Sequence, residues 1–172
     1  AFVVTSNVDG QFQRAGFAPE RVVELHGSIH HAQCVARCGA GIFEAPPGRV
    51  EVDEAELRAR GPLPRCPRCE GLARPNILMF DDFDWDGRRA SQQRERLRRW
   101  LADAARGRLV VVECGAGAAI STVRRASERF VAELGATLVR VNPRDPQVPA
   151  GQISIPGGAL AALRAIDERL RS

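Results

Sequence analysis

Phe2-Val3-Val4-Thr5-Ser6-Asn7-Val8-Asp9-Gly10 and Val22-Val23-Glu24-Leu25-His26-Gly27-Ser28 share one construction. In each, a short apolar run rich in β-branched residues reads as a buried strand that delivers polar side chains at its C-terminal end. Open α/β sheets bind their ligands at that edge. Asn7, Asp9 and His26 are therefore candidate functional residues. Each also has a plainer reading: asparagine and aspartate are common turn formers, and a histidine at a strand end is more often hydrogen-bonded structure than catalyst. His30 and His31 read as structural, or as part of the surface that leads into the cysteines.

Working outward, Val8 to Ala15 reads as a short helix stopped by Gly16, and Ile29 to Gln33 as an extended segment feeding Cys34. Residues 34–74 change character, with Gly39, Gly41, Pro46-Pro47-Gly48, Pro62, Pro64 and Pro67 marking a loop-rich module. Within it, Asp53 is placed to cap a brief helix through Arg60. Asn76 to Phe80 is strand-like. A helix is expected from Arg88 to Arg106, with Leu97, Trp100, Leu101 and Ala104 near the 3.6-residue repeat. Leu109 to Cys114 has the look of a strand buried on both faces. A helix over Ile120 to Leu134 ends at Gly135, strand Thr137 to Val141 ends at Asn142, Ile153 to Ile155 is a last short strand, and Ala159 to Leu170 a closing helix. This alternation predicts an α/β fold with a Rossmann-like, doubly wound parallel sheet. The domain expectation is a main body made of 1–33 and 75–172, with a small metal-binding module, 34–74, inserted into it.

Four of the five cysteines fall in two close pairs, Cys34/Cys38 and Cys66/Cys69, separated by 27 residues. That arrangement suits four thiolates around a tetrahedral Zn²⁺, closed and therefore structural. The bland alternative is buried free thiols. The loop Gly115-Ala116-Gly117, between a strand and a helix, is placed like a phosphate or ribose cradle, although tight turning alone would explain it. Asn142 offers an amide at the next strand's C-terminal edge.

The 172 residues suffice for one domain with a core, or one domain and a small insert. Basic residues number 25 against 21 acidic ones, for a net charge of +4, and all are arginine. Acids and bases are interleaved and the arginines lack aromatic neighbours, which argues against a nucleic-acid partner. No apolar run approaches the eighteen or so residues of a membrane span, and no export signal is visible, so a cytoplasmic location is expected.

Thr5-Ser6-Asn7-Val8-Asp9-Gly10, Gln13-Arg14-Ala15-Gly16, Glu24-Leu25-His26-Gly27-Ser28, the paired cysteines, Arg74-Pro75-Asn76, Met79-Phe80, Gly115 and Val141-Asn142 together resemble the sirtuins, NAD-dependent protein deacylases, in the same order. The resemblance covers nearly the whole chain but only the C-terminal two-thirds or so of a sirtuin catalytic core. It implies a Rossmann-like domain with an inserted zinc module, and NAD and an acyl-lysine protein or peptide bound between them. His26 matches the catalytic histidine, which deprotonates a ribose hydroxyl. Ser6, Asn7 and Asp9 match the nicotinamide pocket; Gly115, Ala116, Gly117 and Asn142 match the loops around the adenosine half. Ile77, Leu78, Met79 and Phe80 match the strand that pairs with the substrate and lines the lysine channel.

Departures from the family are specific. Ser6 replaces a usual glutamine, and Ala116-Gly117 replace Thr-Ser, removing two hydroxyls. Asp81 stands where glycine is usual and, with Asp82, predicts an acidic substrate mouth that favours basic peptides. The family's first βα unit, with its glycine-rich phosphate turn, is not in this sequence, so the expectation is a piece of a larger deacylase whose front segment acts in cis or in trans. Two alternatives accompany it: a truncated, inactive zinc-binding interaction module, and an NAD-dependent ADP-ribosyltransferase.

Overall fold

The structure is a computed structural model that describes residues 1–48 and 50–172. It divides into two compact units, Ala1–Arg98 and Arg99–Ser172. The first holds β1 (Val3–Thr5), a one-turn helix α1 (Gln11–Arg14), β2 (Val22–Glu24), β3 (Gly27–Cys34), β4 (Ile42–Glu44), β5 (Glu51–Asp53), β6 (Arg58–Arg60) and β7 (Ala73–Ile77). Helix α2 (Arg88–Ala104) contains the boundary.

β1 and β2 pair in parallel, with Thr5 opposite Glu24. β2 is buried throughout, including Glu24 at 1% exposure. A lone carboxylate there would be costly, and α2 removes the cost: Arg89 pairs with the Glu24 carboxylate, and Gln93 Oε1 accepts a 3.1 Å hydrogen bond from the Glu24 backbone N–H. β3 lies between β4 and β7, antiparallel to both, with an irregularity between Ser28 and Ala32 on the β7 side.

At the start of β3, Gly27 has φ +84, and a Cβ built there would lie 1.9 Å from the carbonyl oxygen of Asn76. Both the backbone conformation and the contact forbid a side chain. Gly27→Ala is expected to lower stability by about 3 kcal/mol or more in urea unfolding. A loss under about 1 kcal/mol would show that β3 and β7 separate easily at this point.

Two expectations are corrected in this unit. Asp53 to Arg60 is a hairpin, β5 paired antiparallel with β6, and not a helix. Asp53 does bond the next turn as a helix cap would, its Oδ1 accepting from the backbone N–H groups of Ala55 and Glu56 at 3.0 and 3.1 Å. Leu57 then takes φ +53 and turns the chain back, and Arg60 closes an ion pair on Asp53. The same side-chain chemistry serves a tight turn as readily as a helix start. The strand expected over Asn76 to Phe80 is instead β7, which ends at Ile77.

The second unit holds β8 (Val110–Cys114), α3 (Thr122–Leu134), β9 (Thr137–Val141), β10 (Ile153–Ile155) and α4 (Ala159–Arg171). Its three strands are parallel, in the order β10-β9-β8. The parallel α/β character is as the alternation of elements predicts. Gly135 closes α3 in the left-handed conformation at φ +62, its N–H returning to the Val131 carbonyl, as a C-terminal glycine should. The central strand β9 is the buried one, with Leu138, Arg140 and Val141 at 0–1% exposure. β8 departs from the doubly buried strand expected of it, since Val110 and Val112 are 57% and 50% exposed.

Candidate active site and metal centre

Parallel pairing brings the ends of β1 and β2 to one edge. The pairing continues past both strands, the Leu25 N–H donating to the Thr5 carbonyl at 2.8 Å and the Ile29 N–H to Val8 at 2.9 Å. The segment that carries Ser6 and Asn7 therefore lies along the segment that carries His26. β7 reaches the same place: the Leu78 N–H donates to the His26 carbonyl at 2.9 Å. Base candidate, amide and carboxylate, and the segment Ile77 to Phe80 thus share one edge of the first unit. His26 is half-buried, Ile77 and Leu78 are half-buried, and Met79 and Phe80 are exposed.

Burial, and next the positive charge of Arg94, both hold the His26 imidazole below its ordinary pKa of 6.5. The imidazole is therefore neutral over a wider pH range than a free histidine. Arg94→Gln removes the smaller cause and should move the His26 titration upward, toward 6.5 but short of it. The check is an NMR titration of the His26 ring in the variant beside the native protein; an unmoved midpoint would show that Arg94 does not act on it.

Asp9 is partly committed to the chain itself, its Oδ1 accepting from the Gln11 N–H at 3.1 Å. His30, read from the sequence as structural or as surface, has the structural role and lies on this turn. Its Nε2 is 3.2 Å from the Asp9 carbonyl oxygen, and its ring would collide with a Cβ on Gly10 at 2.7 Å. The pairing Gln33–Asn76 was also illegible. Asn76 Nδ2 donates to Gln33 Oε1 at 2.8 Å and to the Asp86 carbonyl at 3.0 Å, and Gln33 Nε2 donates to Asp84 at 2.8 Å. Both side chains are almost fully buried, so this network pins the 84–86 segment to β3 and β7.

The acidic mouth expected from Asp81 and Asp82 needs correction. Arg74 pairs with Asp82, whose side chain is 6% exposed, and holds its carboxyl below the usual range. Asp81 is exposed and carries the turn at φ +55, a conformation that suits the glycine it replaces. One of the two charges is therefore already neutralised.

The four thiols converge. The sulfurs of Cys34, Cys38, Cys66 and Cys69 all lie within 4.8 Å of one another, with Cys34–Cys69 at 3.6 Å and Cys38–Cys66 at 3.5 Å. A tetrahedral zinc with Zn–S bonds of about 2.3 Å requires sulfurs about 3.8 Å apart; a disulfide would bring them to about 2.05 Å. The set fits a closed zinc site. Burial pushes the Cys66 thiol up, but the backbone N–H groups of Arg68 and Cys69 and the neighbouring thiols outweigh it and draw it down to about 7, toward the thiolate a metal needs. Cys114 is exposed and outside this cluster.

In the second unit the Gly115 N–H donates to the Val141 carbonyl at 3.0 Å, and Asn142 Nδ2 donates to the Ala116 carbonyl at 3.0 Å. Asn142 Oδ1 accepts from the N–H groups of Arg144 and Asp145 at 2.9 and 3.0 Å. Asn142 and the Gly115 to Gly117 turn are therefore joined, and the amide carries out the joining. Open space surrounds the Cβ positions of Gly115 and Gly117.

Parallel strand pairs, four converging thiols and a histidine at a strand end are the features that comparison with known proteins places in a family. The model of the Sir2 family matches residues 1–94, more than half of the chain. This chain belongs to the Sir2 family. Among curated relatives, an NAD-dependent protein deacylase of Methylococcus capsulatus is 36% identical over 148 residues, covering 83% of this chain and 50% of that protein. NAD-dependent protein deacylase 2 of Pyrobaculum aerophilum is 32% identical over 170 residues, covering 98% and 59%. NAD-dependent protein deacylase 1 of Pseudomonas aeruginosa is 41% identical over 80 residues, covering 46% and 30%. The chain thus spans between 30% and 59% of these relatives' lengths. Of solved structures, a Sir2–p53 peptide–NAD⁺ complex superposes with a TM-score of 0.60 at 24% identity, covering 100% of this chain and 64% of that one. At that identity the likeness concerns the fold.

Proposed function

We propose that the protein containing this chain is an NAD-dependent lysine deacylase acting on acylated protein or peptide, with zinc as a structural ion held by Cys34, Cys38, Cys66 and Cys69. The observation that carries the reading is the meeting of β1, β2 and the end of β7 at one edge, which puts His26, Asn7 and the Ile77 to Phe80 segment side by side. The division into a main body of 1–33 and 75–172 with a zinc module of 34–74 belongs to the same proposal, as does a cytoplasmic site of action, which suits cysteines that form no disulfide among the described residues.

In this reading Ser6, Asn7 and Asp9 hold the nicotinamide end, and the Gly115 to Gly117 turn with Asn142 holds the adenosine end. The open space at Gly115 and Gly117 leaves room for a ligand to approach the backbone. Bound NAD would supply an electrophilic ribose carbon, at which the acyl oxygen of the substrate lysine displaces nicotinamide. His26, neutral near pH 7 because its pKa is lowered, accepts the ribose hydroxyl proton and so frees that oxygen to take over the acyl group. The peptide backbone is received along Ile77 to Phe80, where the exposed Met79 and Phe80 flank the acyl-lysine. Ala116 and Gly117 give ribose no hydroxyl partner, a loss of about 0.5–1.5 kcal/mol for each missing bond, so the affinity for NAD should be modest.

The test is incubation of the protein at its full natural length with NAD and an acetyl-lysine peptide. One nicotinamide and one acetylated ADP-ribose per lysine freed are expected. ADP-ribose appearing on protein would identify a transferase instead. No nicotinamide with or without peptide would favour the inactive interaction module, the reading to which the missing hydroxyls at 116 and 117 lend support.

A further inference from the structure

Arg140 heads the fully buried side chains of this protein, at 0% exposure in the middle of β9. Its guanidinium binds both carboxylate oxygens of Glu113 on β8, with Nη2 to Oε2 at 3.2 Å, and Nη2 also reaches Glu128 Oε1 of α3 at 3.0 Å. The remaining nitrogen, Nη1, donates to the backbone carbonyl of Gln147. Arg124 of α3 works on the same loop, donating from Nη1 to the Asp145 carbonyl at 2.9 Å and from Nη2 to the Gln147 carbonyl at 2.7 Å. Two arginines and two glutamates balance in charge, and three of their N–H groups end on carbonyls of residues 145–147.

Stability alone gives no reason for this cluster. Buried ion pairs are commonly replaced by packed apolar residues with no loss, or with a gain, and a strand reading Val110-Val111-Val112 would ordinarily continue with an aliphatic side chain at 113. What apolar residues could not do is grip the loop that follows Asn142. That loop begins at the amide that ties it to Ala116, and Glu113 lies two residues before Gly115 on the strand leading into the turn. The cluster therefore spans the two segments, 115–117 and 142–147, that the proposed function assigns to the adenosine half of the dinucleotide.

We propose that Glu113, Arg140, Glu128 and Arg124 are positioning residues that hold the 142–147 loop against the 115–117 turn, and so set the affinity for the adenosine ribose of NAD. The inference rests on the dinucleotide reading above. Removing Arg140 alone would strand the buried Glu113 carboxylate, while Glu128 keeps Arg124 and solvent, so the informative variant is the pair Glu113→Leu with Arg140→Met, made in the protein at its full natural length. Its melting temperature should equal or exceed that of the native protein. Calorimetric titration with ADP-ribose should show binding weakened about tenfold or more, as loss of a supporting shell does. KM for NAD should rise with it while KM for the acetyl peptide stays put. Arg124→Met, which releases the same loop without touching the Glu113–Arg140 pair, should weaken ADP-ribose binding in the same direction. Native-like ADP-ribose affinity in the folded double variant would overturn this inference and leave the deacylase reading standing. A native protein that binds no ADP-ribose would overturn both.

Discussion

His26→Ala is expected to reduce deacylation of an acetyl peptide by about 10²–10⁴-fold in kcat/KM, the usual contribution of a positioned general base. Zinc content and melting temperature should stay near native, because the side chain is half-buried and its backbone carries the structure here. The His26 carbonyl accepts from Leu78, and the strands on either side are held by backbone pairs that alanine keeps. The variant should retain nicotinamide-sensitive NAD binding, since Asn7 and Asp9 are untouched. His26→Gln makes a useful companion, as it keeps hydrogen bonding but cannot accept a proton at neutral pH. Turnover within about threefold of native in either variant would place the base elsewhere on this edge.

Cys66→Ser should have the largest effect on the fold. Between Cys34 and Ala73, Cys66 is the only buried residue among those described, and Val52, Leu57, Leu63 and Leu72 are all exposed. Among the described residues the segment has little apolar core to fall back on: β4 is tied to β3, and beyond it the β5–β6 hairpin and the cysteine cluster organise the segment. Metal binding then is folding free energy for that segment, and four-ligand zinc sites of this kind supply about 10–16 kcal/mol at pH 7. Loss of one thiolate should lower bound zinc from one per chain to a small fraction and open residues 46–65 to limited proteolysis. Treating the native protein with a strong chelator should do the same. Cys114→Ser is the control, because that thiol lies outside the cluster, and it should leave one zinc bound. Full zinc occupancy in Cys66→Ser would mean that the sulfurs converge for another reason.

How much of this could be read beforehand followed the range of the interaction. The cysteine pairs are three and four residues apart, so their knuckles are local, and only the closing of one pair on the other needed the fold. The edge at His26 was legible because two apolar runs of similar length predict two strands, and parallel pairing then aligns their ends. The role of Asp53 is ambiguous in the sequence because one carboxylate accepting two backbone N–H groups begins a helix or a tight turn equally well, and Leu57 decides between them. Asp82 looked like a free charge because nothing in its neighbourhood announces that Arg74, eight residues back, covers it.

The buried polar partnerships were out of reach for the same reason, at longer range. Glu24 meets Arg89 and Gln93, Gln33 meets Asn76, and Glu113 meets Arg140, each across 27 or more residues. Local periodicity reports which face of a strand or helix is apolar; it is silent on which polar residue from a distant element will face it. The order of residues alone therefore determined the parallel α/β plan, the four cysteines that converge and the two strands that end shortly before Asn7 and His26. Tertiary structure alone decided which charges are spent inside the protein and which remain for a ligand, because a buried charge must find its partner in space.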